Sequence, residues 1–213
     1  MRINIGCGQT PTEGWHNYDN SLSVRLAQVP LVVGWLDMLK LLAPSQKEMI
    51  AAARAKRIRY ANAVERIPEP DHSVEVLYTS HMVEHLDRDE VQRFFAEARR
   101  VLKQGGIIRI AVPDVRFHID RYLQTGDADG FIEGIRLGRR KPRGFVQRAK
   151  HSVVGDREHH WMYDGPSLCR SLSSAGFVDA RVLETGSTTI PDPGSLDLAE
   201  RAPESVFVEA RNS

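Results

Sequence analysis

Two stretches of the chain concentrate side chains that can do chemistry. The first, Ser80-His81-Met82-Val83-Glu84-His85, places a hydroxyl, two imidazoles and a carboxylate within one short run. The second, from Asp156 to Tyr163, contains His159, His160, Trp161 and Tyr163. Histidine titrates near neutrality, so His160 or His159 is a candidate base for taking a proton from an acceptor hydroxyl, with Tyr163 beside them. Adjacent residues of an extended chain face opposite ways, so the two histidines cannot both serve one pocket. The competing reading is structural: the segment packs the last helix against the sheet, and Tyr163-Asp164 forms the entry to that helix.

His81, Glu84 and His85 match H-x-x-E-H, a zinc-peptidase pattern in which two histidines hold the metal and the glutamate acts as base. Glu158 is the conceivable third ligand. The motif here directly follows a strand-like run, which is the wrong context for that pattern, so no metal is expected. His85 then reads as a helix histidine hydrogen-bonded beneath the glycine-rich turn near the N-terminus. His81 lies at the carboxyl end of a strand, where open α/β sheets bind ligands. Cys7, between Gly6 and Gly8, suits a tight turn better than a nucleophile, and no Ser/His/Asp order points to hydrolysis.

A third concentration is charge alone. Arg136, Arg139, Arg140, Lys141, Arg143, Arg148 and Lys150 follow one another without an intervening acid. Such a run suits an anionic acceptor or an anionic membrane surface, or is simply a solvated loop. Over the whole chain, Lys plus Arg number 29 and Asp plus Glu 28, so net charge gives no reason to expect nucleic acid. Only Cys7 and Cys169 are present, too few for a disulfide framework. The opening residues run straight into a strand-like segment without a leader pattern, and Val29 to Leu42 is broken by Asp37 and Lys40. A cytoplasmic protein without a transmembrane segment is expected, with peripheral membrane contact through that apolar stretch as an option.

With 213 residues, one domain is expected. Arg2 to Gly6 and Trp15 to Asp19 read as strands with too little chain between them for a crossover helix. Residues 21–56 read as a helical insertion of two helices, the second opened by a capping box from Ser45 to Glu48. Arg57 to Ala61 and Val74 to Thr79 read as the next strands. An amphipathic helix capped by Asp87 follows, with Val91, Phe94, Phe95, Ala98, Val101 and Leu102 on one face, ended by Gly105-Gly106. Ile107 to Val112 is an apolar strand stopped by Pro113. Residues 114–164 read as a cap-like insertion with helices at Val115 to Leu123 and Gly130 to Leu137. A helix from Pro166 to Ala175 then leads to strands Phe177 to Leu183 and Ser205 to Ala210, which without a crossover must pair antiparallel if they are neighbours. The expectation is an α/β sheet, mostly parallel, with a C-terminal antiparallel pair.

Three segments in this order resemble the class I S-adenosylmethionine-dependent methyltransferases, and within them a type 11-like bacterial group of predicted methyltransferases. They are Asn4-Ile5-Gly6-Cys7-Gly8 leading to Gly14-Trp15-His16-Asn17-Tyr18-Asp19, then Ser80-His81-Met82-Val83-Glu84-His85-Leu86, and Glu97-Ala98-Arg99-Arg100-Val101-Leu102-Lys103-Gln104-Gly105-Gly106. The resemblance implies a Rossmann-like sheet and S-adenosyl-L-methionine as cofactor. It implies that Gly6, Cys7 and Gly8 approach the cofactor, Asp19 accepts its ribose hydroxyls, Asn62 and Ala63 lie near the adenine, and Ser80 and His81 near the methionine part. The chain departs from the family pattern at Asn4, where an acid is usual, and at Pro11, where a third glycine would stand. Methyl transfer to an oxygen or nitrogen of a small or glycan-like, anionic acceptor is the expected function. The alternatives are a methyltransferase-fold partner protein without catalysis, which those departures suit, and a zinc hydrolase.

Overall fold

The computed structural model describes residues 1–136 and 158–213. Its seven-stranded sheet has the order β3-β2-β1-β4-β5-β7-β6. The strands are β1 (Arg2–Ile5), β2 (His16–Asp19), β3 (Arg59–Tyr60), β4 (Val74–Ser80), β5 (Leu102–Pro113), β6 (Phe177–Leu183) and β7 (Ser205–Asn212). The first five pair in parallel, and β7 is antiparallel to both β5 and β6. Strand order reverses direction between β1 and β4. Their carboxyl ends therefore open the crevice in which such sheets bind ligands.

No helix joins β1 to β2. The connecting turns are held by side-chain amides instead. Asn17 accepts the Thr12 N–H at 2.8 Å and donates to the carbonyls of Thr12 and Trp15, both at 2.9 Å. Asn4 donates to Thr12 Oγ1 at 3.1 Å. Asn4 thus anchors the loop from below with a neutral amide, a task that needs no acid.

The insertion after β2 contains three helices where the sequence pattern predicts two: α1 (Leu22–Ala27), α2 (Pro30–Met38) and α3 (Pro44–Ala55). Pro30 accounts for the extra break, since it cannot continue α1 but is well suited to the first turn of α2. Proline also moves the start of α3 ahead of the expected Ser45. The helix begins at Pro44, and the Gln46 side chain returns to accept the Ala43 N–H at 2.9 Å. Val24 and Ala27 of α1 and Met49, Ile50 and Ala53 of α3 form an apolar cluster with Cys7, supporting the glycine turn from one side. Helix α2 buries none of its residues, and Leu31 is 88% and Trp35 68% exposed.

Helix α4 (Arg88–Val101) carries the expected cap. Asp87 Oδ1 accepts the Glu90 N–H at 2.8 Å, and Glu90 accepts the Asp87 N–H at 3.1 Å. Its buried face, Val91, Phe94, Phe95, Ala98 and Val101, belongs to the main core with Ile3, Ile5, Leu77, Ile108 and Ile110 of the sheet. The helix does not run to the glycine pair as the sequence suggests. It ends at Val101, and β5 starts at Leu102, paired with Val74 ahead of a register shift. Gly105, at φ +73°, supplies the backbone of that irregularity. At Gly106 a Cβ would come 2.9 Å from the Lys103 carbonyl oxygen.

Helices α5 (Val115–Thr125) and α6 (Ala128–Ile135) differ from their expected bounds by a few residues, as does α7 (Gly165–Ser174). One feature was hidden in the apolar run of β5. Arg109, fully buried, faces Glu209 across the β5–β7 pair at 2.7 Å. Arg109 also donates to the carbonyls of Ser187 and Leu198, while Glu209 accepts from Thr188 Oγ1, Thr189 Oγ1 and the Thr189 N–H. The pair ties the 187–198 loop to the sheet.

Candidate functional site

At the carboxyl end of β1 the chain turns through Gly6 at φ +71° and Gly8 at φ +51°. The Gly6 and Cys7 N–H groups both donate to the Tyr18 carbonyl, at 2.8 and 3.0 Å. A Cβ on Gly6 would stand 2.8 Å from Met82 Cγ, so the turn is in contact with the segment leaving β4. Nothing lies within 4 Å of a Cβ on Gly8, where the backbone is open to a ligand. Asp19 ends β2, with Oδ2 accepting the Gly8 N–H at 3.1 Å and Oδ1 accepting the Ser21 N–H at 2.8 Å. Each oxygen keeps a lone pair for another donor.

Cys7 is buried, and burial followed by the nearby Asp19 charge pushes its thiol up to about 12. It stays protonated and is no nucleophile. Asn62 follows β3. Its Oδ1 receives the Val64 N–H at 3.3 Å and its amide donates to Glu65 at 2.9 Å. Ala63 beside it is buried. At the end of β4, Thr79 Oγ1 and Ser80 Oγ are buried and make no hydrogen bond among the described residues.

His81 has a left-handed backbone, φ +50°, which no β4 continuation or α-helix accepts. The residues after it form a 3₁₀ turn, Val83–His85, so His81, Glu84 and His85 do not share the face of an α-helix that their spacing suggests. His81 Nε2 meets Ser205 Oγ at 2.9 Å, and its Nδ1 stands 3.4 Å from Glu84 Oε1. His85 is not bonded to the glycine turn as expected; its Nδ1 donates to the Glu158 carbonyl at 3.0 Å.

The His/Trp/Tyr segment is laid against this turn. The N–H groups of His160 and Trp161 both reach the Glu84 carbonyl, at 2.7 and 3.2 Å, and Tyr163 bridges to Asp114 beside β5. Sequence-distant candidates are therefore brought to one edge of the sheet. His159 is buried and its Nδ1 donates to the Ile135 carbonyl at 2.9 Å. Burial lowers its pKa, against the pull of the Glu84 charge. Tyr163 is buried too, and burial raises its hydroxyl, so neither side chain is an accessible base. The His160 ring is exposed. Arg88 stacks over Trp161, 4.8 Å from the ring centre. Of the basic run, only Arg136 lies among the described residues; Arg139 to Lys150 fall outside them, as does Asp156. Among the described residues no helix is long and apolar enough to cross a membrane.

Residues 37–110, from α2 to β5, match a family model described as a methyltransferase domain. No curated protein matches the chain. Among solved structures it is similar to an S-adenosylmethionine-dependent methyltransferase from Methanosarcina mazei, with a TM-score of 0.53 at 16% identity over 99% of this chain and 91% of that one. It is also similar to a protein of Pyrococcus horikoshii, with a TM-score of 0.52 at 13% identity over 100% of this chain and 83% of that one. At such identity the likeness concerns the fold, and it spans the sheet on both sides of the matched domain. The chain has the fold of S-adenosylmethionine-dependent methyltransferases, and its residues 37–110 carry the likeness to a methyltransferase domain.

Proposed function

We propose that the crevice between Gly6-Cys7-Gly8, Asp19 and the end of β4 holds S-adenosylmethionine, and that the chain transfers its methyl group to an oxygen or nitrogen of a small, anionic, glycan-like acceptor. The observation that carries this reading is Asp19, whose carboxylate ends β2 next to the switch-point strand β1 and beside an open Gly8 backbone, with both oxygens able to accept from a ribose diol. Thr79 Oγ1 and Ser80 Oγ, buried without partners among the described residues, supply polar groups at the same edge. Asn62 and Ala63 would flank the adenine, and Ser80 and His81 the methionine end.

The cofactor supplies an electrophilic methyl on a sulfonium, and the protein supplies orientation and proton removal. His160, exposed and pinned by its backbone to the Glu84 carbonyl, is our choice of base. Taking the acceptor proton on its imidazole leaves a cation that solvent stabilises. His159 and Tyr163 act by holding the segment in place. The Arg88–Trp161 stack beside them suits an anionic acceptor, which can share the guanidinium edge while the arene covers its face. The test is transfer of label from S-adenosylmethionine to phosphorylated or uronate-bearing sugars. Incorporation supports the acceptor class, and labelling of neutral amines alone would contradict it.

A further inference from the structure

The turn leaving β4 buries a carboxyl group among imidazoles. Glu84 is 1% exposed, both its carboxylate oxygens are buried without a hydrogen-bond partner, and no Lys or Arg lies within ion-pair distance among the described residues. Its nearest polar neighbours are histidines. The His81 Nδ1 stands 3.4 Å and the His85 Nε2 3.9 Å from Glu84 Oε1. A ring nitrogen of His85, one of His159 and a Glu84 oxygen all lie within 4.8 Å of one another.

The hydrogen bonds on the far sides of the His85 and His159 rings fix which nitrogen carries a proton. A carbonyl can only accept, so His85 Nδ1 donates to Glu158 and His159 Nδ1 donates to Ile135. Both neutral rings then keep their lone pair on Nε2. Ser205 Oγ lies 2.9 Å from His81 Nε2 and 3.2 Å from the Arg201 carbonyl, so the His81 tautomer follows from which of the two receives the hydroxyl proton. In these tautomers, His85 and His159 offer the buried carboxylate lone pairs and no donor. Such an arrangement is costly unless a cation stands among them.

We infer that Glu84, His85 and His159 form a binding site for a divalent transition-metal ion of the zinc type, with His81 adjacent. Two imidazoles and one carboxylate are a donor set for zinc, and ligating histidines usually give their other N–H to a carbonyl or carboxylate, as His85 and His159 do. Ligand atoms of a tetrahedral ion with bonds of about 2.0 Å lie roughly 3.3 Å apart. Small side-chain rotations about the ion would close the observed separations to that value. His85, with its side chain 32% exposed, gives the route of entry. The set differs from the zinc-peptidase pattern in the sequence: His159 replaces Glu158, and Glu84 is a ligand, not a base. Resting on the proposed methyl transfer, an ion with three protein ligands retains a position for an acceptor oxygen, which it would orient.

The test uses the purified full chain, stripped with chelator and titrated with Co²⁺ and then Zn²⁺. One equivalent of Co²⁺ giving visible ligand-field bands that Zn²⁺ displaces is the expected result. Glu84→Gln and His85→Asn, each checked for a native thermal transition, should both lose the bands and weaken Zn²⁺ binding by more than the roughly 10–100-fold typical of an outer-shell change. If Glu84→Gln does not fold, His85→Asn carries the test alone. No stoichiometric uptake by the wild-type chain would overturn the inference and leave protons as the cations of the cluster. Uptake unchanged in the folded variants would overturn it as well, because the ion would then lie elsewhere. Neither result bears on S-adenosylmethionine binding, which is measured separately.

Discussion

Removing the Glu209 carboxylate is the most informative perturbation of the scaffold. In Glu209→Ala, the fully buried Arg109 keeps the carbonyls of Ser187 and Leu198 but loses its ion-pair partner, and Thr188 and Thr189 lose their acceptor. Breaking a buried pair from one side costs about 3–5 kcal/mol. In Arg109→Met the carboxylate still receives its three threonine hydrogen bonds, so the loss should be smaller, about 2–3 kcal/mol. The double substitution Arg109→Met with Glu209→Leu removes both charges and should cost less than the sum of the singles by about 1–3 kcal/mol. Urea unfolding followed by circular dichroism measures all three, provided the slopes agree with wild type. Additive effects, or a Glu209→Ala loss below about 1 kcal/mol, would refute the reading of the pair as a mutually dependent clamp on the 187–198 loop.

The same carboxylate predicts acid sensitivity. Burial acts to raise the Glu209 pKa, but the hydrogen bonds from Thr188, Thr189 and Arg109 outweigh it and leave the group below its ordinary 4.5. Its stabilisation is therefore complete above that value and lost as pH falls through the lower folded value, so the thermal midpoint should drop below about pH 4 in wild type and less steeply in Glu209→Gln; parallel pH curves would contradict this. Gly6→Ala should destabilise by about 1–2 kcal/mol from its left-handed backbone alone, and adding Met82→Gly, which removes both Cβ and Cγ of Met82, should relieve the contact with the new Cβ without restoring the backbone loss. Full recovery in a thermal melt would show that the turn is not strained. His160→Ala should lower turnover by about 10²–10⁴-fold with cofactor affinity unchanged, and undiminished kcat would reject His160 as the base.

The sheet was legible because its determinants are local. β-branched runs, the Asp87 cap and the apolar face of α4 each announce themselves within a few residues, and the resemblance supplied the Rossmann-like class of sheet. Failures came where one residue overrides a pattern. Pro30 and Pro44 reset helix starts, Gly105 and Gly106 bend a strand they were expected to precede, and the left-handed His81 prevents the helix that H-x-x-E-H suggests. The site divided in the same way. That Gly6, Gly8 and Asp19 meet at one sheet edge could be read because the turn and the strand end are contiguous with their neighbours in sequence. That Glu84 would be enclosed by His85 and His159 could not be read, because that contact depends on how the 158–163 segment crosses the end of β4. The Arg109–Glu209 pair was equally hidden, although a lone arginine inside an apolar strand is itself a signal that a buried partner must exist.

In the proposed function, the β1–β2 edge, despite lacking a crossover helix, holds S-adenosylmethionine through Asp19. Calorimetric titration with S-adenosylmethionine and S-adenosylhomocysteine tests it most directly, on wild type and on a folded Asp19→Ala variant. Saturable binding of both ligands to wild type is expected, with a loss of about 3 kcal/mol or more in the variant, from two charge-assisted hydrogen bonds, which is roughly two powers of ten in Kd. Equal affinity in the two proteins, or no binding to wild type at millimolar ligand, would contradict it.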